Sequence, residues 1–192
     1  MGSPAGPKFG IRPSWILGPR IADGVGVIVG SESGEAMPYC PLLFCSNTNC
    51  RLYSGGLLLP YPNPPKTKPD PMPWPTDAWQ ALILCPECKR VHIHTKADIR
   101  WRARTDEDYE GYRLYAAWFC ARFECAVSGC GTPVELHVAM GVGTTTRAVD
   151  NTLRSGDVDG ILPCGHLFVP PPLGKCKVVR ESYEQPIRSY SQ

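Results

Sequence analysis

Along this chain the apolar positions come in short runs of strand length, separated by knots of glycine, proline and polar residues. Val25 to Val29, the run YCPLLF, the segment RLYSGGLLLP and the run WQALIL each read as a strand, as do FCARFE, TPVELHVAM and VDGIL. Between them, KRVHIHTKADIRWRAR alternates. Val91 and Ile93 point one way while Arg90, His92 and His94 point the other, the period of a half-buried strand. Further on, Arg100, Arg102 and Arg104 share one face and Trp101 takes the opposite one. Helical signals are few. TTTRAVDNTLRSG carries a threonine cap and a Gly156 stop, which predicts a short helix. Thr105 followed by Asp106, Glu107 and Asp108 resembles a capping box, with Tyr112, Tyr115 and Phe119 continuing at helical spacing. Residues 60–75 hold eight prolines in sixteen positions. Such a stretch excludes a helix or a central strand and predicts an extended, partly polyproline II segment.

Part of this pattern occurs twice. YCPLLFCSNTNC at 39–50 and FCARFECAVSGC at 119–130 are both aromatic-Cys-x4-Cys-x4-Cys, offset by 80 positions. ILCPEC around Cys85 and ILPCGH around Cys164 correspond at an offset of 79. An internal repeat of this kind predicts two tandem lobes. The expected organisation is an N-terminal arm at 1–37, a first lobe at 38–98 with its Pro-rich loop at 60–75, and a connector at 99–111. A second lobe at 112–178 and a C-terminal tail at 179–192 complete it. The first arm and the tail read as Pro/Gly-rich extensions, and the fold class as mainly β with short helices.

Composition narrows the function. An apolar fraction of 43% is that of a folded protein, and 21 prolines with 19 glycines imply many loops. The formal charge of +2, with acidic and basic residues mixed throughout, gives no wide electropositive surface for non-specific nucleic-acid binding. No run has the 18 or so apolar residues of a membrane span. The first thirty residues lack the basic start and apolar block of a signal peptide, which places the expected location in the cytoplasm. Ten cysteines in that setting point to metal ligation rather than disulfides.

Cys45 and Cys50, then Cys85 and Cys88, form C-x4-C-x34-C-x2-C. Two thiolate pairs on tight turns supply the four soft ligands of a tetrahedral zinc, and the metal then acts as the core of a small fold. The pattern resembles the zinc-ribbon class, including rubredoxin-like folds, in which two knuckles on β-hairpins grip one ion. The corresponding second set is Cys125, Cys130, Cys164 and His166, with Cys176 as the competing fourth ligand. Four protein ligands argue for structural metal, because catalytic zinc keeps a position open. Iron is an alternative at the first set, where four sulfurs would permit electron transfer. Cys40 and Cys120 are surplus to both sets and read either as small buried hydrophobes or as substitute ligands.

Other chemistry has less behind it. CPEC resembles a redox Cys-Pro-x-Cys motif, but strand sequence follows it. The zinc-deaminase, HExxH, Walker and dinucleotide patterns are missing, and no small-molecule substrate is evident. Lys96, Arg100, Trp101, Arg102 and Arg104 make the best nucleic-acid surface, arginines beside an aromatic being suited to phosphate and base. His92 and His94 read as strand histidines or as a metal-binding i, i+2 pair. The Pro-rich loop, with Trp74 free to cap its own lobe or insert into a partner, and the tail from Pro170 suit recognition of other proteins. The sequence therefore predicts a non-enzymatic two-zinc scaffold or adaptor for other protein subunits, with nucleic-acid binding or an iron-based electron carrier as alternatives.

Overall fold

Short strands dominate the computed structural model, which describes residues 38–103, 115–182 and 187. In chain order they begin with β1 (Tyr39–Leu43), the single helical turn α1 (Leu52–Gly55), β2 (Leu57–Leu58), β3 (Gln80–Leu84) and β4 (Arg90–Thr95). A 3-10 turn at Lys96–Asp98 leads into β5 (Ile99–Ala103), followed by β6 (Ala117–Glu124) and β7 (Pro133–Met140). Helix α2 (Thr146–Arg154), β8 (Asp159–Gly160) and β9 (Lys177–Arg180) complete the described elements. The strands form a three-stranded sheet, β2-β1-β5, and a six-stranded sheet, β8-β4-β3-β7-β6-β9. The protein is mainly β.

The layering follows from the period of the strands. On the large sheet, Ala81, Ile83, Trp118 and Ala139 face the small sheet and pack with its Leu43 and Leu57. Their neighbours Leu82, Leu84, Phe119, Ala121, Leu136 and Val138 face the other way, onto Val149 and Leu153 of α2. The central strands are thus covered on both sides, so β3 and β6 read as nearly continuous apolar runs instead of clean alternations. Helix α2 forms where the sequence places it. The Thr145 hydroxyl accepts from the Ala148 amide at 3.3 Å, and the buried pair Val149 and Leu153 is at i, i+4.

Three buried indoles each donate to a backbone carbonyl: Trp79 to Ile187 (3.0 Å), Trp101 to Trp74 (2.9 Å) and, between the two sheets, Trp118 to Leu58 (3.1 Å). The 60–75 segment carries no helix or strand, as its prolines predict. Its Trp74 meets Trp79 edge-on at 5.3 Å and lies 6.2 Å from Tyr61, so it caps its own fold.

Strand pairing is alike around β1 and β6, although the registers differ by three positions at the offset of 80. β1 pairs with β2 and β5, and β6 pairs with β7 and β9, all antiparallel. Leu43 lies opposite Leu57, and Phe123, 80 positions on, lies opposite Val134. Cys40 lies opposite Arg102, and Cys120 opposite Val179. Strands from 38–98 and from 112–178 also meet in one sheet, where β3 runs parallel to β7 with Ile83 opposite His137. The expected connector contributes β5, paired with β1 along its whole length.

Some expectations need correction. RLYSG forms a helical turn, not a strand, because Gly56 at φ +71 reverses the chain. A Cβ there would lie 3.2 Å from Leu42 and Phe44 side-chain atoms. Phe119 does not continue a helix but sits in β6, opposite Val138 and Arg180. The capping-box sequence at 105–108 and Tyr112 lie outside the described residues. On β4 the two faces separate as expected, yet their burial is reversed at the far end: Ile93 is exposed and His94 is 1% exposed. His94 lies opposite Ala81 on the side that the small sheet covers, whereas Ile93, opposite Leu82, lies on the helix side near the sheet edge. Alternation fixes sides, and the neighbouring layer decides which side is dry.

Candidate metal centres

Strand ends bring the cysteines together. The sulfurs of Cys45, Cys50, Cys85 and Cys88 all lie within 4.8 Å of one another. Cys45 follows β1 and Cys50 precedes α1, in a turn closed by Cys45 N–H to Leu52 O (3.1 Å) and Cys50 N–H to Asn47 O (2.9 Å). Cys85 and Cys88 occupy the β3–β4 hairpin, closed by Cys85 N–H to Arg90 O (2.9 Å) and Lys89 N–H to Cys85 O (3.0 Å). Lys89 takes a left-handed φ of +57 to complete that turn. The Cys45–Cys88 and Cys50–Cys85 sulfur separations are 3.7 and 3.5 Å. Four thiolates about 2.3 Å from a central zinc would stand about 3.8 Å apart, so the donor set fits a tetrahedral ion with little movement.

The electrostatics favour a cation. Burial pushes the Cys45 thiol up to about 12, against the pull of the Asn47 amide, and burial raises Cys85 further still. Burial also acts on Cys88, but the Arg90 amide and the Cys85 and Cys45 sulfurs more than offset it and hold the thiol below its ordinary value. Closely spaced buried thiolates need a positive charge among them, and a divalent ion supplies it while displacing their protons.

The second cluster comprises Cys125, Cys130, Cys164 and His166, again with donor atoms within 4.8 Å. Cys125 and Cys130 sit in the β6–β7 hairpin. Its closure repeats that of the first knuckle, with Cys125 N–H to Thr132 O (2.8 Å) and Cys130 N–H to Val127 O (3.0 Å). Cys164 and His166 sit in a turn held by Gly165 N–H to Leu162 O (2.8 Å) and by the bridge between Ile161 and Leu167. Gly165, at φ +82, permits the tight Cys-x-His turn. Cys125 Sγ lies 3.7 Å from His166 Nδ1. Hydrogen bonds from the Thr132 hydroxyl, at 3.1 Å, and from the Thr132 amide hold the Cys130 thiol down at about 6. Cys176 is outside this cluster, at the edge of the helix-side core and near Asp150 and Arg154.

The surplus cysteines belong to neither cluster. Cys40 is buried on β1. Cys120 is buried on β6 and donates to Glu135 Oε1 at 3.2 Å, and burial raises its thiol well above the ordinary range. His92 and His94 meet edge-on, their ring centroids 5.7 Å apart, without joining a metal-binding group, and His94 Nδ1 faces the Asp98 carboxylate at 3.6 Å.

The arginine strip is changed by the fold. Arg100 and Arg102 stand exposed on one face of β5, both over the Phe44 ring, at 4.9 and 5.2 Å from its centroid. Trp101 is buried on the opposite face and bonded to Trp74, so it cannot stack on a base. Lys96 bonds Asp77 at 2.6 Å. Arg104 lies outside the described residues.

Sequence reasoning missed several polar partners, two of them in the cysteine knuckles. Thr132 stands two positions after Cys130, where amide-to-sulfur bonds recur, and that spacing was a usable signal. Glu87, inside the second knuckle, accepts from the Tyr115 hydroxyl at 2.5 Å. His137, buried in β7, is held by Glu181 at 3.0 Å and had only its place between Leu136 and Val138 to mark it.

The chain matches no protein-family model, no curated protein and no solved structure. Both clusters can hold a metal ion, in keeping with a zinc-ribbon-like class. No helix among the described residues is long and apolar enough to cross a membrane.

Proposed function

We propose that this protein is a non-catalytic scaffold with a zinc ion in each cluster, working in the cytoplasm as an adaptor for other protein subunits. The observation that carries this reading is the closure of both sites. Each gathers four protein donors within 4.8 Å, and four protein donors fill a tetrahedral shell. The ligands are Cys45, Cys50, Cys85 and Cys88 at the first site and Cys125, Cys130, Cys164 and His166 at the second. The knuckle hydrogen bonds, which correspond at the same offset of 80, support an internal duplication, with two zinc-ribbon-like lobes sharing a sheet. A reducing compartment keeps such thiols available for metal. Exposed Ile161 and Leu167, beside Ile93 at the sheet edge, supply apolar surface for a partner protein. Elemental analysis of the purified chain tests the proposal, with two zinc ions per molecule expected. A single ion, or a fold unchanged after exhaustive chelation, would overturn it, and a coloured protein would place iron at the four-sulfur site.

A second reading, nucleic-acid binding, is favoured by one observation. Arg100 and Arg102 are exposed on the same face and make no ion pair among the described residues. It predicts binding that weakens as salt rises.

A further inference from the structure

A polar groove of about 440 Å³ opens on the outer face of the small sheet, away from the large one. Its walls include Ser46, Tyr53, Ser54, Arg100 and Arg102, with Phe44 beneath the two guanidinium groups. We propose that this groove binds the phosphodiester backbone of a single-stranded nucleic acid. The proposal deepens the nucleic-acid reading above by replacing a linear strip of residues with a defined site.

Three features carry it. First, the cations are organised in advance. Each guanidinium rests on the same buried ring, which limits its rotamers and leaves its N–H edges free for oxyanions. Second, the two arginines outnumber the one carboxylate in the groove, whose wall also includes Cys45 of the first cluster. Asp98 lines the groove, but its carboxylate accepts from the Thr95 amide at 2.8 Å and faces His94, and neither arginine pairs with it. Third, the cations are paired. Both guanidinium carbons stand over one ring, 4.9 and 5.2 Å from its centroid, so together they clamp the phosphate backbone of an extended strand. Tyr53, half exposed at the rim, offers a ring face for a base, and the Ser46 and Ser54 hydroxyls add neutral donors.

The test is fluorescence anisotropy of the full chain with labelled 12-mer oligouridine at about 50 mM salt. The wild type is expected to bind. R100A and R102A should each weaken binding at least fivefold, and the double variant at least twentyfold. The slope of log affinity against log salt should fall by roughly 0.7 for each arginine removed. R147A, on α2 across the large sheet, should bind as the wild type does. A sugar–phosphate 12-mer without bases should retain most of the affinity, and inorganic phosphate should displace the oligomer only at millimolar concentration. R100K/R102K, which keeps the charge with little risk to folding, should fall between the wild type and the double alanine variant.

No binding by the wild type would overturn the groove and the nucleic-acid reading together. Binding that is insensitive to R100A/R102A would overturn the groove alone. A phosphoserine peptide that binds while the 12-mer does not would also overturn it. The zinc count of the same samples reports separately on the metal centres.

Discussion

The two clusters share a hairpin plan but differ in depth. At the first, three of the four cysteines are buried, and the knuckles hang from β1 in the small sheet and from the β3–β4 hairpin in the large one. A metal there is a clasp between two layers. At the second, Cys125 alone is buried, and its β6–β7 hairpin already lies in a sheet paired over eight residues. The opposing Cys164–His166 turn is held by the Ile161–Leu167 bridge and by its own backbone bonds, Leu162 N–H to His166 O and Gly165 N–H to Leu162 O, both 2.8 Å. A metal there fastens a loop to an element that packing already fixes. The same donor geometry can therefore carry very different shares of stability, according to what it joins.

Removing one ligand at a time separates the contributions of the two sites. C85S should cost the first metal, separate the small sheet from the large, and lower Tm by about 10 °C or more. At about 2–4 °C per kcal/mol for a chain of this size, that is at least about 3 kcal/mol, measured by calorimetry beside zinc content. H166A should likewise reduce the zinc count to one, with a Tm loss no more than half as large. Equal losses would mean that depth and linkage do not matter. H166C should keep two ions, since a fourth sulfur suits the metal equally well.

How far the sequence anticipates these sites depends on the distance over which each feature is encoded. Cys45, Cys50, Cys125 and Cys130 were legible because the knuckle is local, and His166 because it stands in the same short turn as Cys164. The α2 cap at Thr145 was legible for the same reason. The pairing of β3 with β7 was not, because a parallel contact between segments some fifty residues apart leaves no local mark. Nor was the burial of Trp101 and His94, which depends on the small sheet lying across the large one. The alternation of β5 correctly placed Arg100 and Arg102 together, but it could not say that Phe44 would lie beneath them.

A smaller effect sharpens the contrast in how the thiolates are supported. Replacing Thr132 by valine removes the hydroxyl bond to Cys130 while keeping shape and backbone. Zinc affinity at the second site should fall roughly tenfold, the lower end for loss of a group that supports a ligand. The first site, supported in the described hydrogen bonds by the Asn47 amide, should be unchanged. Competition with a chromophoric chelator would resolve the two sites, and equal weakening of both would show that Thr132 acts through global stability.

The smallest expected effect concerns Asp98, beside the first site, whose 3-10 turn directs the chain from β4 into β5. His94, followed by the Thr95 amide, holds its carboxyl below the usual value against the opposing effect of burial. A carboxylate whose folded pKa is depressed contributes stability that is present above its unfolded value near 3.8. That stability is lost as pH falls through the folded value. D98N should therefore destabilise the protein at pH 7 by about 1 kcal/mol or less, and the difference from wild type should narrow below pH 4. Urea midpoints at pH 7 and pH 3.5, on protein whose metal content is measured at each pH, would show this. A gap that widened on acidification would mean that Asp98 is held in its protonated form.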